Sequence, residues 1–150
     1  MGVGSGILAE AAKRAGCDVL AVDIDEEAVK HVKKLGIKAR KSDMFSNVKG
    51  KFDVIIFNPP YLPSSKYKDI ALDGGKKGYE VIERFLKEAG KYLRKDGFIL
   101  MLYSSLSKPR QIRIVEMSLG YEEEILGEKK IAFEKLYAVR LKKKAFYSKS

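Results

Sequence analysis

Apolar residues in this 150-residue chain recur with two periods, one typical of helices and one typical of strands. Apolar positions three or four apart predict helices over 7–15, 26–35, 81–93 and 108–119. Short runs rich in β-branched and aromatic residues predict strands over 18–23, 37–41, 52–57, 98–103, 121–126 and 136–141. The order of these elements predicts a single α/β domain over residues 1–150, ending in an antiparallel hairpin.

Turn-forming residues separate these elements. Gly36 and Gly120 follow predicted helices and end them, and Pro109 occupies a first helical turn. Residues 96–97, Asp-Gly, predict a turn before the next strand. Residues 127–130 are expected to lie in a long loop of the terminal hairpin.

The strand predicted at 52–57 runs into Asn-Pro-Pro-Tyr at 58–61. Two prolines stop a strand abruptly and leave a rigid backbone that is poor in N–H donors. The Asn58 side-chain carbonyl and the Pro59 carbonyl can each accept an N–H from a planar group, and Tyr61 can stack on that plane. The motif therefore predicts a site that positions a weakly nucleophilic amide or amine nitrogen, with a plain proline-rich turn as the alternative.

A glycine-rich turn at residues 2–6 leads into the first predicted helix. Glycines let a backbone approach a ligand closely, and a helix N-terminus carries partial positive charge. Asp23 ends the next predicted strand and follows Gly6 by 17 positions, near the spacing at which a carboxylate reaches ribose hydroxyls. The combination predicts a nucleotide-like ligand, with a helix N-cap role for Asp23 as the alternative.

Four segments together resemble one family: Gly-x-Gly-x-Gly at 2–6, Asp23, Ser-Asp-Met-Phe at 42–45 and Asn-Pro-Pro-Tyr at 58–61. They are similar to class I S-adenosylmethionine (SAM)-dependent methyltransferases. More narrowly, they resemble the HemK-like N5-glutamine methyltransferases, which modify the Gly-Gly-Gln loop of translation release factors. Residues 71–85 are similar to the segment after the catalytic motif in the short archaeal and eukaryotic branch. The resemblance implies a Rossmann-like sheet and SAM as cofactor.

The resemblance implies these cofactor-binding residues: Gly2, Gly4, Gly6, Asp23, Ile24, Asp43, Met44 and Asn58. The glycines would line the methionine end of SAM, Asp23 would accept from the ribose hydroxyls, and Ile24 would pack on the adenine. Asp43 would accept from the adenine amine, with Met44 or Phe45 against the ring. A turn role for Asp43 and core packing for Met44 and Phe45 are the alternatives.

The resemblance also implies catalytic roles for Asn58, Pro59 and Tyr61. Asn58 would lie beside the sulfonium methyl and bind the target amide. The Pro59 carbonyl would accept a hydrogen bond from that amide, and Tyr61 would form one wall of the pocket. The irregular stretch 64–78 follows this motif. It is expected to form a substrate-facing loop or lid, with an ordinary surface linker as the alternative.

One departure from the family concerns the first strand. In relatives an apolar strand that ends in an acid precedes the glycine turn and lies in the middle of the sheet, whereas here Met1 stands directly before the glycines. Either the start codon is misassigned or this is a truncated form, whose sheet would lack its first strand. The unpaired edges of that sheet would pair with a strand from another copy, or SAM binding would be weaker.

Thirty Lys and Arg residues against 20 Asp and Glu residues give a formal net charge of +10. This balance suits a nucleic-acid or ribosome-associated partner, although the positive residues are interspersed with acidic ones, and an ordinary solvated surface explains them as well. Many charges with few amides are typical of a thermophile.

The remaining composition points to an intracellular setting. No apolar stretch is long enough to span a membrane, and one cysteine cannot form a disulfide framework, so a cytoplasmic location is expected. Cys17 is predicted to be a small buried residue, and the lone His31 a surface residue. Since the sequence has no cluster of metal-ligand residues, no metal is expected.

Three functions stay open. The first is N-methylation of a glutamine side chain in the Gly-Gly-Gln loop of a class 1 release factor. The second is the same chemistry on an exocyclic amine of adenine or guanine in RNA or DNA, which needs a wider, aromatic-walled slot. The third is a truncated fragment that cannot use SAM and serves only as a binding partner. The resemblance also implies a small zinc-binding activator, which would cover an apolar surface that includes Ile37 and Ala39.

Overall fold

The computed structural model describes residues 1–60 and 79–145 of the chain. Contacts divide the chain into two units, Met1–Gly50 and Lys51–Ser150, and each has its own sheet. Within the described residues β1 (Leu20–Asp23) pairs only with β2 (Lys38–Lys41). That all 150 residues form a single domain stays a prediction.

The first unit is a small α/β layer built on two parallel strands. Its elements are α1 (Ile7–Arg14), β1, α2 (Glu26–Lys34) and β2. The strands pair from Leu20 opposite Lys38 to Asp23 opposite Lys41, so their carboxyl ends lie side by side. Its core consists of the buried residues Ala9, Ala21, Val32 and Ile37, with Val3, Val19, Leu35 and Ala39 packed against them.

The second unit is a mixed four-stranded sheet. Its elements are β3 (Phe52–Phe57), α3 (Glu80–Ala89), β4 (Leu93–Ser104), α4 (Pro109–Ser118), β5 (Tyr121–Ile131) and β6 (Glu134–Lys143), with short 3-10 helices at Gly90–Tyr92 and Ser105–Ser107. The strand order is β3-β4-β6-β5. β3 and β4 are parallel, while β6 is antiparallel to both β4 and β5. The turn of the β5–β6 hairpin therefore lies at the edge where β3 and β4 end.

Aromatic residues join α3 to the sheet. The ring of Phe85 on α3 lies 4.4 Å from that of Phe57 on β3, measured between centroids. The hydroxyl of Tyr121 at the start of β5 donates to the Leu86 carbonyl at 3.0 Å. Burial raises the pKa of Tyr121 to about 12, so this donor keeps its proton over the physiological range. The end of β3 is thus held from one side by a buried helix.

The turn predicted at residues 96–97 is wrong, because β4 already begins at Leu93. The pairing with β3 shifts between Phe52, which lies opposite Leu93, and Val54, which lies opposite Phe98. A Cβ on Gly97 would lie 2.9 Å from the Phe52 carbonyl oxygen. Gly97 is therefore required for close backbone approach inside an irregular strand.

The loop predicted at residues 127–130 is also wrong. These residues pair with β6, with Glu128 opposite Tyr137 and Lys130 opposite Lys135, and the turn is only Ala132–Phe133. The exposed outer half of the hairpin is solvated on both faces, so it lacks the apolar alternation that marks a half-buried strand. A salt bridge of 2.8 Å between Lys135 and Glu128 crosses the two strands.

Two predictions about the first unit fail because of local geometry. Cys17 is exposed, since it lies in the turn between α1 and β1, three residues before the strand begins at Leu20. Ile37 is buried in the core, so it does not belong to the apolar docking surface that was expected, whereas the role of the partly buried Ala39 stays a prediction. His31 is exposed, as predicted.

Candidate active site

The glycine turn at residues 2–6 is a tight loop directly before α1. Gly2, Gly4 and Gly6 have φ of 62°, 48° and 88°, a conformation that L side chains adopt with strain. A Cβ on Gly6 would lie 3.1 Å from a Val32 methyl, whereas a Cβ on Gly4 would meet nothing within 4 Å. Gly6 therefore permits close packing on α2, and Gly4 leaves open space beside its backbone.

Asp23 ends β1, and two backbone N–H groups hold its carboxylate. Gly4 donates to Oδ2 at 3.0 Å, and Asp25 donates to Oδ1 at 2.8 Å. Each oxygen keeps a second lone pair for another donor. The N-cap of α2 is Asp25, whose carboxylate accepts from the Glu27 N–H at 3.0 Å, so the alternative cap role for Asp23 is wrong. Ile24 is 56% exposed beside it.

A buried hydroxyl organises the loop after β2. The Ser42 hydroxyl donates to the Met44 carbonyl at 2.7 Å and accepts from the Asn47 N–H at 3.0 Å. The Ser46 hydroxyl accepts from the Asp43 N–H at 3.1 Å. These bonds hold Met44 at φ 48°, which is unusual for a residue other than glycine. The role of Ser42 is not predictable from the sequence, because only its contacts in the folded loop show it.

This loop lies next to Asp23, because the Ser42 N–H donates to the Asp23 carbonyl at 2.8 Å. Asp43 is exposed, Met44 is half-buried, and Phe45 is only 3% exposed. Of the two candidates for contact with an adenine ring, Phe45 belongs to the core and Met44 stays available. The first unit thus gathers the glycine turn, Asp23 and Asp43 at the carboxyl ends of its two strands.

The acceptors and the apolar side chain exposed in the first unit fit a SAM-type ligand. An adenosyl group presents hydroxyl and amine donors and a flat apolar ring, and Asp23, Asp43 and Ile24 offer matching acceptors and an apolar face. The open space at Gly4 and the N-terminus of α1, which has no side-chain cap, suit a charged amino-acid end. The individual roles of these residues stay predictions.

Asn58 follows the last residue of β3 in the second unit. Its side chain is exposed, while Phe57 before it is 5% exposed and Pro59 after it is less than 2% exposed. Buried neighbours on both sides fix the backbone that carries the amide. Tyr61 and the loop expected at 64–78 lie outside the residues that the structure describes.

The end of β4, beside Asn58, is closed by a hydroxyl cluster. The Ser104 hydroxyl accepts from the Leu106 N–H at 3.1 Å and donates to the carboxylate of Glu134, the first residue after the hairpin turn. The Ser105 hydroxyl accepts from the Lys135 N–H at 3.0 Å. These bonds join the turn after β4 to the hairpin turn, so both are held at the edge where Asn58 lies.

A strongly perturbed carboxyl pKa lies away from this edge, between α4 and β5 of the described part of the chain. Glu116 is 1% exposed, and neither its oxygens nor Oε1 of Glu123 has a hydrogen-bond partner. Tyr103 donates to Oε2 of Glu123 at 2.7 Å, and Arg113 lies 3.4 Å from Oε1. Burial, and then the charge of Glu123, raise the pKa of Glu116 to about 8. At neutral pH Glu116 therefore carries a proton that it can share with Glu123.

Metal and membrane features are not found in the described ranges. Among residues 1–60 and 79–145, no group of three or more His, Cys, Asp or Glu side chains could hold a metal ion. No helix in these ranges has the length and apolar character needed to cross a membrane.

Comparison with known proteins agrees with this geometry. The model of the methyltransferase small domain family matches residues 1–133. A Methanocaldococcus jannaschii protein named "Putative protein N5-glutamine methyltransferase" is 40% identical over 93% of this chain and 77% of that protein. A release factor glutamine methyltransferase of Aquifex aeolicus is 35% identical over 54% of this chain, and the match spans 36% of that protein.

Solved structures give the same result for the fold. The E. cuniculi Mtq2-Trm112 complex, responsible for methylation of the termination factor eRF1, matches with a TM-score of 0.79 and 26% identity over 95% of this chain and 81% of that chain. A SAM-dependent methyltransferase from Bacteroides fragilis in complex with S-adenosylhomocysteine matches with a TM-score of 0.67 and 22% identity over 94% of this chain and 69% of that chain.

These matches confirm the Rossmann-like class I methyltransferase fold, and the strand pairing shows the antiparallel C-terminal hairpin. The Bacteroides fragilis neighbour binds S-adenosylhomocysteine, and SAM stays the predicted cofactor of this chain. They also agree with the narrower resemblance, since relatives of this chain are named protein N5-glutamine and release factor glutamine methyltransferases. The chain belongs to the methyltransferase small domain family.

Proposed function

We propose that this protein transfers the methyl group of SAM to the side-chain amide nitrogen of a glutamine in the Gly-Gly-Gln loop of a class 1 release factor. The observation that carries the proposal is the exposed Asn58 between buried Phe57 and Pro59 at the end of β3. The names of the relatives from Aquifex aeolicus and E. cuniculi support the substrate.

The chemistry required of the protein is positioning. An amide nitrogen is a poor nucleophile because its lone pair is delocalised into the carbonyl. If the Asn58 carbonyl accepts one N–H of the glutamine amide and the Pro59 carbonyl accepts the other, the nitrogen is held in one orientation. Acceptors fixed in this way also stabilise the positive charge that develops on the nitrogen as the new bond forms.

SAM supplies the electrophilic methyl group. The amide nitrogen approaches the methyl carbon in line with the bond that breaks, and the amide proton leaves after transfer. No general base is needed at Asn58, because the N-methylated, protonated amide is a strong acid. The protein must instead exclude water, hold the planar amide and keep its two acceptors correctly placed.

The first experiment is methyl transfer from labelled SAM to two acceptors: a release factor carrying Gly-Gly-Gln, and total RNA. Label on the glutamine, located by mass spectrometry, is the expected result. Label on RNA would instead favour N-methylation of an exocyclic base amine. A wild-type chain that does not bind SAM in calorimetric titration would match the fragment hypothesis and contradict the proposed activity.

We propose a small zinc-binding activator subunit as a partner, and a cytoplasmic location in which both meet the translation machinery. The partner is supported by the E. cuniculi complex, in which Mtq2 is assembled with Trm112. Co-purification of the chain with a small zinc protein, and a gain in methyl transfer when it is added, are expected. Unchanged solubility and activity on co-expression would contradict the partner.

A further inference from the structure

The β5–β6 hairpin extends past the strands that carry the candidate catalytic motif. Ser104, the last residue of β4, lies opposite Leu136, so Glu134 and Lys135 continue beyond the end of β4. On the other side of β4, Phe57 lies opposite Met101, so β3 ends earlier still. The hairpin turn therefore stands beyond Asn58 on the edge that a substrate must approach.

This turn exposes apolar side chains to solvent. Phe133 is 96% exposed, Ile131 is 37% exposed, and Leu106, in the turn after β4, is 43% exposed. We call these three residues the tip patch. The hydrogen bond from the Lys135 N–H to the Ser105 hydroxyl fixes the two turns to each other. The tip patch is thus formed by two turns that are hydrogen-bonded to each other.

The residues of the turn are not explained by turn geometry. Two-residue hairpin loops favour Asn, Asp and Gly, because the preferred turns need positive φ. Here the two positions are Ala132 and Phe133, and positive φ at described residues other than glycine occurs only at Met44 and Lys108. The turn therefore needs neither Asn nor Gly, and its geometry does not require the exposed aromatic side chain of Phe133.

The charges around the tip patch suit a protein better than a nucleic acid. Glu128 pairs with Lys135 at 2.8 Å and Glu134 accepts from Ser104, while the exposed Lys129 and Lys130 lie beside them. Acidic and basic groups are therefore mixed along the hairpin. A nucleic-acid surface would instead present a continuous basic stripe against phosphates. An exposed aromatic anchor beside aliphatic groups is typical of the centre of a protein interface.

The distance from Asn58 to the hairpin turn is short enough for a single protein domain to contact both. A strand rise of about 3.3 Å and a strand spacing of about 4.8 Å place the turn roughly 20 Å from Asn58. A standard interface of about 800 Å² per partner is roughly 30 Å across. A domain that inserts a loop at Asn58 therefore reaches the tip patch, whereas a short peptide bound at Asn58 does not.

We propose that the tip patch docks the body of the protein substrate, the release-factor domain that carries the Gly-Gly-Gln loop, with Phe133 as its anchor. This inference rests on the proposed function for the identity of the substrate. In this arrangement two parts of the protein recognise the substrate: Asn58 binds the glutamine amide, and the hairpin binds the domain that carries the loop.

The test compares wild-type chain with Phe133→Ser and with a control, Ile114→Ser, which removes a 58% exposed apolar side chain from α4. Each is given two substrates, the intact release factor and a short Gly-Gly-Gln peptide, and binding of the release factor is measured separately by fluorescence anisotropy. Phe133→Ser should raise KM and Kd for the release factor about tenfold, leaving kcat and all peptide kinetics unchanged. Ile114→Ser should match wild type throughout.

Other results would overturn the docking role. Unchanged KM and Kd, or equal losses on peptide and release factor, would show that Phe133 is not a docking anchor. Loss of self-association in sedimentation, without loss of release-factor binding, would make a second copy the occupant. If the wild type methylates neither substrate, the proposed function fails. The binding measurement then still decides whether Phe133 contacts the release factor.

Discussion

At the scale of single residues, the candidate chemistry depends on exposed polar groups whose neighbours are buried. Asn58 lies between Phe57 and Pro59, and Asp23 is held by two backbone N–H groups while keeping lone pairs for a ligand. The motif around Asn58 and the spacing of Asp23 were visible in the sequence, because both depend on local chain geometry. The buried hydroxyl of Ser42 was not, because its partners are set by the fold of the loop.

Asn58→Ala should remove the acceptor that orients the target amide. We expect kcat/KM to fall about a hundredfold or more, roughly 3 kcal/mol in the transition state, with SAM affinity nearly unchanged. Methyl-transfer kinetics and calorimetric titration with SAM measure the two quantities. A variant with full activity would show that Asn58 is not catalytic.

Ser42→Ala should weaken SAM binding, because it removes hydrogen bonds inside the loop after β2. The Met44 carbonyl and the Asn47 N–H would lose a buried partner, which costs about 1–3 kcal/mol of stability and loosens the loop that carries Asp43. The Kd for SAM should rise while kcat at saturating SAM stays near wild type. Ser118→Ala, which removes an exposed hydroxyl bond in α4, is the control and should leave the Kd unchanged. A fall in kcat without a change in Kd would contradict this role.

At the scale of elements, the sequence predicted the helices and the buried strands well, since one periodic apolar face defines each of them. It failed where strands have no buried face. Residues 127–130 form the outer part of β5, where pairing with β6 and water on both sides replace core packing. Residues 96–97 looked like a turn, but the backbone of β3 approaches Gly97 too closely for any other residue.

The packing of α4 on β5 should depend on pH through Glu116. Its pKa rises from 4.5 to about 8 on folding, so the folded chain binds the proton more tightly than the unfolded chain. The stabilisation is full below pH 4.5 and is lost as pH rises to about 8, a loss of up to about 5 kcal/mol. Urea unfolding at pH 5, 7 and 9 measures this slope.

Glu116→Gln should flatten that dependence, because the amide stays neutral and can still donate to Glu123. The variant should be more stable than wild type at pH 9 and close to it at pH 5. Glu122→Gln, on the exposed side of β5, should leave the slope as it is. Identical slopes in wild type and Glu116→Gln would show that the Glu116 carboxyl does not titrate between these pH values.

At the scale of the whole molecule, the residues predicted to bind the cofactor and those predicted to bind the substrate lie mostly in different units. The candidate cofactor residues other than Asn58 lie in Met1–Gly50, whereas Asn58 and the tip patch lie in Lys51–Ser150. The fold class and cofactor were predictable because four motifs recur in a fixed order. The docking role proposed for the hairpin was not predictable, because the pattern of residues 127–130 predicted a loop.

This division predicts where ligand binding protects the backbone. S-adenosylhomocysteine at 100 times its Kd should stabilise the protein by about 2.7 kcal/mol. Hydrogen exchange should slow mainly at residues 2–6, 23–25 and 42–47, with a smaller effect near Asn58. Protection confined to the second unit would contradict the assignment of the cofactor residues.

The exposure of Cys17 has a practical consequence. It is the only cysteine in the chain and lies in an accessible turn, so a maleimide dye or spin label attaches at a single known position in the first unit. The same thiol can cross-link two chains through a disulfide when reductant is absent. Any dimer seen in solution should therefore be examined with reductant, or in Cys17→Ser, before it is attributed to shared strands.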